Sequence, residues 1–580
     1  MTSTPLPDAT SAADAPSTAR VDAPTRLERY APLVAGVMLA LPVLLTRYPP
    51  MTDLPLHEAL VGLLRHWGDT SMLPEGLYAR NFGEPNQLFH MIAWALSAVM
   101  PTDTACKLVV FVTIAAIPIC GARLADHVGA SRLTAVLLSP LALGWTFAWG
   151  LVANLAGLAA FLALLPTLDR FAAKPTPRGA LACLGAAIVL YFAHQAMLVV
   201  FAGAALCLVL LHPFSLRATL WRLTPFLASL AITVAQIRYQ ERFKTPTLRA
   251  VPTMFVSAVA KLQQVPAIVL PTYERTTQLA FFALFALGVA LLFLLRARER
   301  SEPVPRSPRA FVLRYRFELL AIGCFLAYLA FPLTLNGATL VYQRFLPPAI
   351  AVFVITAAPR SLATRAARVT RLLACAMPVA ALLMVFPSFA DSHQAYKDLD
   401  VLLAKMENGA AVATLDLATS ETRTFSLGPA PARYLATRGG RLHYAFTDST
   451  ISPVVMNPEY QWNEVLVRIS KNGWSFRPAY DLKHFRYVIV RSIDARLLVL
   501  ASHAMMPEAR PVANAGEWLL LESTLPLAPL TSPEEPMPTP KPATLRKRMQ
   551  QKLEELPKES GEPTPELGPE QESTDPVPLH

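Results

Sequence analysis

Three ionisable residues stand close together just after the first long apolar run: Asp53, His57 and Glu58, within YPPMTDLPLHEALVGLLRHW (48–67). Asp53 lies four positions before His57, so on a helix the two share a face. A carboxylate beside an imidazole can take a proton from a hydroxyl, or the imidazole can steady a phosphate. Glu58 fits a solvated helix face as well as a substrate contact. The HEAL run lacks the second His of a zinc-protease helix, so these residues alone make no metal site. A divalent cation is neither required nor excluded by the sequence. Asp53 also reads as a helix cap, because Asp or Thr ahead of LPLHEAL, with Pro55 near the first turn, marks an amino-terminal end. The two roles are compatible.

Further polar residues gather where apolar runs begin or end. Trp149 and Asn154 flank Gly150 in WGLVANLAG, His194 and Gln195 occupy a tight turn, and Tyr342, Gln343 and Arg344 precede FLPP. An Arg at such a position either snorkels to lipid headgroups or grips a phosphate with two parallel hydrogen bonds. The segment 238–276 adds Arg238, Arg242, Lys244, Arg249 and Lys261, followed by Tyr273, Glu274 and Arg275. An acid near the first span, with basic residues on the same side, suits an anionic, lipid-linked substrate. Attraction to anionic headgroups accounts for some of the basic residues.

The elements that must hold these residues are membrane helices. Of 580 residues 53% are hydrophobic and 16% charged, and apolar runs recur at the length that crosses a bilayer. The net charge of +11 resides largely in Arg-rich short loops, which is a topology signal and argues against nucleic acid as a partner. Those loops, at 121–132, 169–178, 212–222, 296–316 and 359–371, are expected to be cytoplasmic. Spans are predicted near 31–47, 104–122, 133–148, 151–168, 179–193, 195–212, 217–237, 277–297, 317–335, 344–359 and 371–390. That makes about eleven crossings, with the amino terminus inside and the carboxyl terminus outside. The apolar run 87–100 is short and ends at Pro101, and alternation of the loops works only if it does not cross. Residues 1–30 read as a disordered cytoplasmic arm leading into an uncleaved anchor. The six cysteines lie in or beside spans without ligand spacing and read as small buried hydrophobes.

Beyond residue 390 the pattern changes. Helical spacing covers 393–406, AVATL (411–415) reads as a strand, FRYVIVR (485–491) is the strongest strand signal, 493–503 reads as helix, and EWLLL (517–521) closes as a strand. Residues 391–525 are therefore expected to form a small extracytoplasmic α/β domain on a transmembrane domain of 31–390 with an external loop at 48–103. The tail 526–580 is rich in Pro and Glu and reads as disordered, with one mixed-charge stretch at 545–558.

This layout resembles the GT-C fold glycosyltransferases, multi-spanning enzymes that use polyprenyl-phosphate sugars. The resemblance rests on Asp53 in TDLPLHEA, the non-crossing run 87–100, and the WGLVAN, YFAHQ and YQRFLPP segments, within about residues 31–525. It implies a mainly α, polytopic membrane protein of a bacterial cytoplasmic membrane. The implied activity is transfer of a sugar from a polyprenyl-phosphate carrier to an acceptor outside, and membrane lipids are the other implied partners. By the same likeness Asp53 activates or orients the acceptor, aided by His57, and Arg344 and His194 face the donor phosphate. Asn154 and Gln195 line the substrate, and Glu274 and Glu58 are alternatives for a second acid. No WWDxG signature is present, so the likeness fixes neither a metal nor an acceptor. A flippase for lipid-linked saccharides or a non-catalytic envelope scaffold are the competing classes; a flippase would place polar, broken helices at mid-membrane.

Overall fold

The computed structural model describes residues 25–240, 253–299, 307–335, 338–358, 364–418, 423–461, 468–469, 472–529, 541–555 and 567. Helix α1 (Arg26–Leu45) starts with a capping box: the Thr25 side chain accepts from the Glu28 amide at 3.3 Å, and the Glu28 carboxylate accepts from the Thr25 amide at 3.1 Å. Two donors that the first turn leaves orphaned are thereby satisfied. Helices α2 (Leu54–Arg65) and α3 (Leu88–Ser97) follow, with strand β1 (Tyr78–Arg80) between them. Helix α3, with 10 residues, is about 15 Å long, half of what a crossing needs. It lies within the run 87–100, which the sequence reading takes as non-crossing. Helix α4 (Thr102–His127) packs along α1, where a Cβ on Gly36 would lie 2.6 Å from the Ala115 carbonyl oxygen. Small residues let membrane helices approach this closely.

The predicted span 133–148 is not one helix. It folds as three single turns, α5 (Leu133–Val136), α6 (Ser139–Ala142) and α7 (Trp145–Ala148), all of whose residues are buried. Pro140 opens the second turn and Gly144 is extended ahead of the third, so the helical ladder is interrupted twice. A crossing counted among the about eleven of the sequence reading is thus replaced by buried turns, which protein, not lipid, surrounds.

The chain continues through α8 (Val152–Ala173), α9 (Pro177–Ala193), α10 (Gln195–Leu211), α11 (Leu216–Gln240), α12 (Ala258–Val269), α13 (Arg275–Glu299), α14 (Pro308–Arg314), α15 (Arg316–Ala330), α16 (Leu346–Thr356) and α17 (Thr364–Leu403). Among the described residues, six helices are long and apolar enough to cross a membrane: α1, α4, α8, α11, α13 and α17. Helices α9 and α10 are apolar at 17 residues each. The protein is a mainly helical, polytopic membrane protein with a distinct β/α region at its carboxyl end. Helix α17 has 40 residues, about 60 Å, and unites the predicted span 371–390 with the helix expected at 393–406.

The β/α region holds a five-stranded sheet of order β3-β2-β5-β7-β6, with β2 (Ala411–Asp416), β3 (Arg441–Leu442), β5 (Tyr487–Arg491), β6 (Ala509–Ala515) and β7 (Trp518–Ser523). Strand β2 pairs in parallel with β3 and β5, and β7 is antiparallel to its neighbours. Side chains alternate between two cores, as a period of two demands. Val488, Val490, Leu519 and Leu521 point to one, and Tyr487, Ile489, Trp518 and Leu520 to the other. The second core also contains Tyr48, Leu56 and Ala59 from the first external loop. Helix α18 (Arg433–Arg438) presses on α2 so tightly that a Cβ on Gly62 would lie 2.5 Å from Ala436 Cα. Strand β1 pairs with β4 (Val454–Met456). The external loop and the β/α region therefore fold as one body around α2. The mixed-charge stretch of the tail forms a helix, Leu545–Glu555, which buries Leu545 and Met549 against the helix Ala495–Met505. Residues 1–24 of the arm and most of the tail lie outside the described residues.

Candidate functional site

The site is built where the chain leaves α1 and enters α2. The Thr52 amide donates to the Ala148 carbonyl at 2.9 Å and the Asp53 amide to the Trp149 carbonyl at 3.0 Å. The Ser426 amide donates to Thr52 Oγ1 at 2.9 Å. Gly150 has φ +73°, and a Cβ there would stand 2.6 Å from the Asp53 nitrogen, so a residue without a side chain is needed for this approach. Asp53 occupies the amino-terminal cap position of α2, yet its side chain makes no capping hydrogen bond. The cap expected from the sequence is not formed. Burial raises the Asp53 pKa to about 7, against the opposing pull of Arg344.

Arg344 lies in the turn Tyr342–Phe345 that feeds α16. Its guanidinium donates to the Thr339 carbonyl at 3.2 Å, and one terminal nitrogen stands 3.4 Å from His194 Nε2. Burial lowers its pKa to about 10, with Asp53 holding it up. Asp53 and Arg344 feel each other's charge, but no direct ion pair joins them among the described residues.

The character of the contact between Arg344 and His194 depends on the tautomer of the imidazole. His194 Nδ1 accepts the Ala196 amide at 3.2 Å, and burial holds the imidazole neutral by lowering its pKa. A neutral ring that accepts at Nδ1 carries its proton on Nε2. Two N–H groups therefore face one another at 3.4 Å, an arrangement that favours an acceptor or an anion beside them. Three further buried polar atoms have no partner: Arg344 Nε, Asn154 Nδ2 and Gln343 Oε1. Asn154 lies in the first turn of α8, four residues past Gly150, and Gln343 precedes Arg344.

His57 is buried. Its ring hydrogen-bonds to the backbone of Gly150, and its Nδ1 lies 2.9 Å from His90 Nε2. Phe89 and Phe446 meet it edge-on at 5.6 and 5.0 Å between centroids. Burial lowers its pKa to about 3, so the ring stays neutral at physiological pH. Gln195 sits on another side. Its amide donates to Asn86 Oδ1 at 2.8 Å, its side chain meets Gln236 at 3.3 Å, and Gln236 reaches Glu84 at 3.5 Å. Glu84, a buried acid, was not singled out from the sequence. Its signal is an acidic residue in NFGEPN, a Gly- and Pro-rich turn of the same external loop as Asp53.

Two sequence candidates are engaged elsewhere. Glu58 pairs with Arg433 at 2.8 Å, both buried. Glu274 is exposed and accepts from the Thr277 hydroxyl at 3.2 Å at the start of α13. Arg242, Lys244 and Arg249 lie outside the described residues, and Lys261 is buried, capping the end of α15 through the Leu329 and Phe331 carbonyls at 2.7 and 2.6 Å. Among the described residues no group of three or more His, Cys, Asp or Glu is placed to hold a metal ion. A separate cavity of about 240 Å³ between α17 and the sheet is lined by Asp391, Asp398, Arg423 and Glu517, and Arg423 pairs with both Asp391 and Glu517 there.

No protein-family model matches this sequence, and no curated protein matches it. Solved structures do. The chain is similar to ArnT from Cupriavidus metallidurans bound to undecaprenyl phosphate, with a TM-score of 0.51 and 12% identity, over 88% of this chain and 100% of that one. The chain shares the fold of ArnT. The apo state of the same protein gives a TM-score of 0.49 at 11% identity, over 84% and 96% of the two chains. The likeness to the first of these covers 88% of this chain and so takes in both the membrane helices and the β/α region.

Proposed function

We propose that this protein is an integral membrane glycosyltransferase that moves a sugar from a polyprenyl-phosphate carrier to an acceptor on the extracytoplasmic face of the membrane. The observation that carries this reading is the pair of opposed N–H groups on Arg344 and His194 beside an unpaired, partly protonated Asp53. Such a constellation suits a phosphate on one side and a proton acceptor on the other. The similarity to a protein solved with undecaprenyl phosphate supports the same choice of carrier.

In the proposed reaction an acceptor hydroxyl attacks the anomeric carbon of the carrier-linked sugar. The new C–O bond forms as the bond from the anomeric carbon to the phosphate oxygen breaks, and the polyprenyl phosphate leaves with the electron pair. Arg344 and His194 Nε2 stabilise the charge on that phosphate. Asp53 takes the hydroxyl proton, and a pKa of about 7 suits a general base at neutral pH. His57, neutral and held by Gly150 and His90, positions the Asp53 loop and moves no proton. The buried, unpaired amide of Asn154 offers a further donor to substrate. Gln195 orders the Glu84 side of the cleft. Glu58 and Glu274 hold structure rather than substrate.

The test is to incubate purified protein with a panel of radiolabelled undecaprenyl-phosphate sugars and membrane extract. Label appearing in a new product or as free sugar supports the reading. Translocation of the labelled lipid across vesicles without turnover would identify a flippase, and neither activity with any donor would overturn the enzymatic assignment.

A further inference from the structure

The end of α15 is held by a charge that a helix end does not require. Lys261 projects from α12 and is only 1% exposed. Its ammonium donates to the Leu329 and Phe331 carbonyls at 2.7 and 2.6 Å, and stands 4.6 Å from the centroid of the Tyr342 ring. Taking an ammonium out of water is costly, and water or a glycine cap can end a helix without it. The carbonyls it holds lead into the segment 331–334, against which the turn Tyr342–Phe345 is built. The Tyr342 amide donates to the Pro332 carbonyl at 3.2 Å and the Val341 amide to the Leu333 carbonyl at 3.0 Å. The Phe331 and Phe345 rings stack at 4.8 Å.

Helix α12 reaches the same turn a second time, where the Tyr342 hydroxyl donates to Gln264 Oε1 at 2.6 Å. The Tyr328 hydroxyl donates to the Lys261 carbonyl, and its ring meets that of Tyr342 edge-on at 5.5 Å. These contacts clamp α12, the end of α15 and the turn into one piece. Arg344 depends on that piece. Its guanidinium donates to the Thr339 carbonyl at 3.2 Å, and its Nε has no partner among the described residues. A side chain with so few bonds of its own points where its backbone aims it.

We propose that Lys261 is a positioning residue for Arg344: it fixes the turn Tyr342–Phe345 so that the guanidinium is already in place when the carrier phosphate arrives. This rests on the glycosyltransferase reading above, in which Arg344 binds that phosphate. Lysine suits the task, because a compact charge with three donors can serve two carbonyls and an aromatic face at once.

The experiment measures undecaprenyl phosphate affinity in one detergent for the full-length wild type, Lys261→Met, Arg344→Met and the double variant. Undecaprenol, the same chain without phosphate, is the control ligand. Lys261→Met is expected to weaken undecaprenyl phosphate about tenfold, the size of one charged hydrogen bond lost from Arg344, and to leave undecaprenol unchanged. The double variant should bind within about twofold of Arg344→Met alone, because Lys261 then has no guanidinium to place. Additive losses in the double variant, an equal loss for both lipids, or unchanged affinity in Lys261→Met would each overturn the inference and leave Lys261 a helix cap. If Lys261→Met does not fold, Gln264→Leu, which cuts the other tie to Tyr342, takes its place under the same criteria. A wild-type protein that binds undecaprenyl phosphate no better than undecaprenol would instead overturn the parent reading, and this one with it.

Discussion

Two acid–arginine pairs lie five residues apart on the same helical segment and have opposite characters. Glu58 and Arg433 are closed at 2.8 Å, buried, and backed by Tyr48, over whose ring the Arg433 guanidinium sits at 3.8 Å. Asp53 and Arg344 sense each other without closing, and their surroundings contain polar atoms with no partner. The first pair is closed on itself, although Arg433 Nε, 3.8 Å from Asp400, has no hydrogen-bond partner; the second pair is open. A closed buried pair ties two regions together, here α2 and α18. An unsatisfied one raises the free energy of the empty protein and becomes satisfied when a ligand arrives.

This contrast can be broken by exchanging the consequences of mutation. Asp53→Asn is expected to lower turnover by about 10²–10⁴-fold, the usual contribution of a general base, with the melting temperature preserved. Glu58→Gln should do the reverse, destabilising the fold by about 3 kcal/mol because Arg433 is left buried without its counter-charge, as chemical denaturation of the purified protein would register. If Asp53→Asn unfolded the protein, or Glu58→Gln abolished turnover in a stable fold, the division between site and scaffold would be wrong.

Smaller effects sharpen it. Arg344→Lys should leave insertion intact and weaken undecaprenyl phosphate by about 1–3 kcal/mol, because Lys lacks the planar fork. Equal affinities measured in one detergent would make Arg344 a headgroup anchor. The pH dependence follows from Asp53, whose folded-state pKa is raised to about 7. As a base it must be ionised, so kcat/KM should fall about tenfold per pH unit below that value. Stability has the opposite sign. From the ordinary carboxylate range up to about 7 the folded state binds the extra proton, so stability contributed by this group is lost as pH rises through that window. Asp53→Asn should flatten both slopes, and a wild-type profile level from pH 5 to 8 would exclude Asp53 as the base.

Much of this architecture is written in local pattern. The apolar runs of α1, α4, α8, α11, α13 and α17 have membrane length, and Pro101 ends α3 short of it. The alternating FRYVIVR stretch forms β5, and AVATL and EWLLL enter β2 and β7. Local chemistry also marked Asp53, Arg344, His194 and Asn154, because polar residues at the ends of apolar runs are costly unless used.

Tertiary structure decided what those residues do. Asp53 has the sequence of a cap and does not cap, because contacts with Ala148, Trp149 and Ser426 set the loop's direction. Glu58 is read as solvated until Arg433 arrives from 375 positions away. The run 133–148 is apolar enough to span, but buried protein neighbours accept its broken backbone in place of lipid. Glu84 carries only the weak signal of an acid in the turn NFGEPN, and Gln236 is brought beside it by the fold alone. Periodicity and hydropathy depend on neighbours along the chain and can be read there. Charge pairing, desolvation and an unpaired donor depend on neighbours in space, and those exist only once the chain has folded.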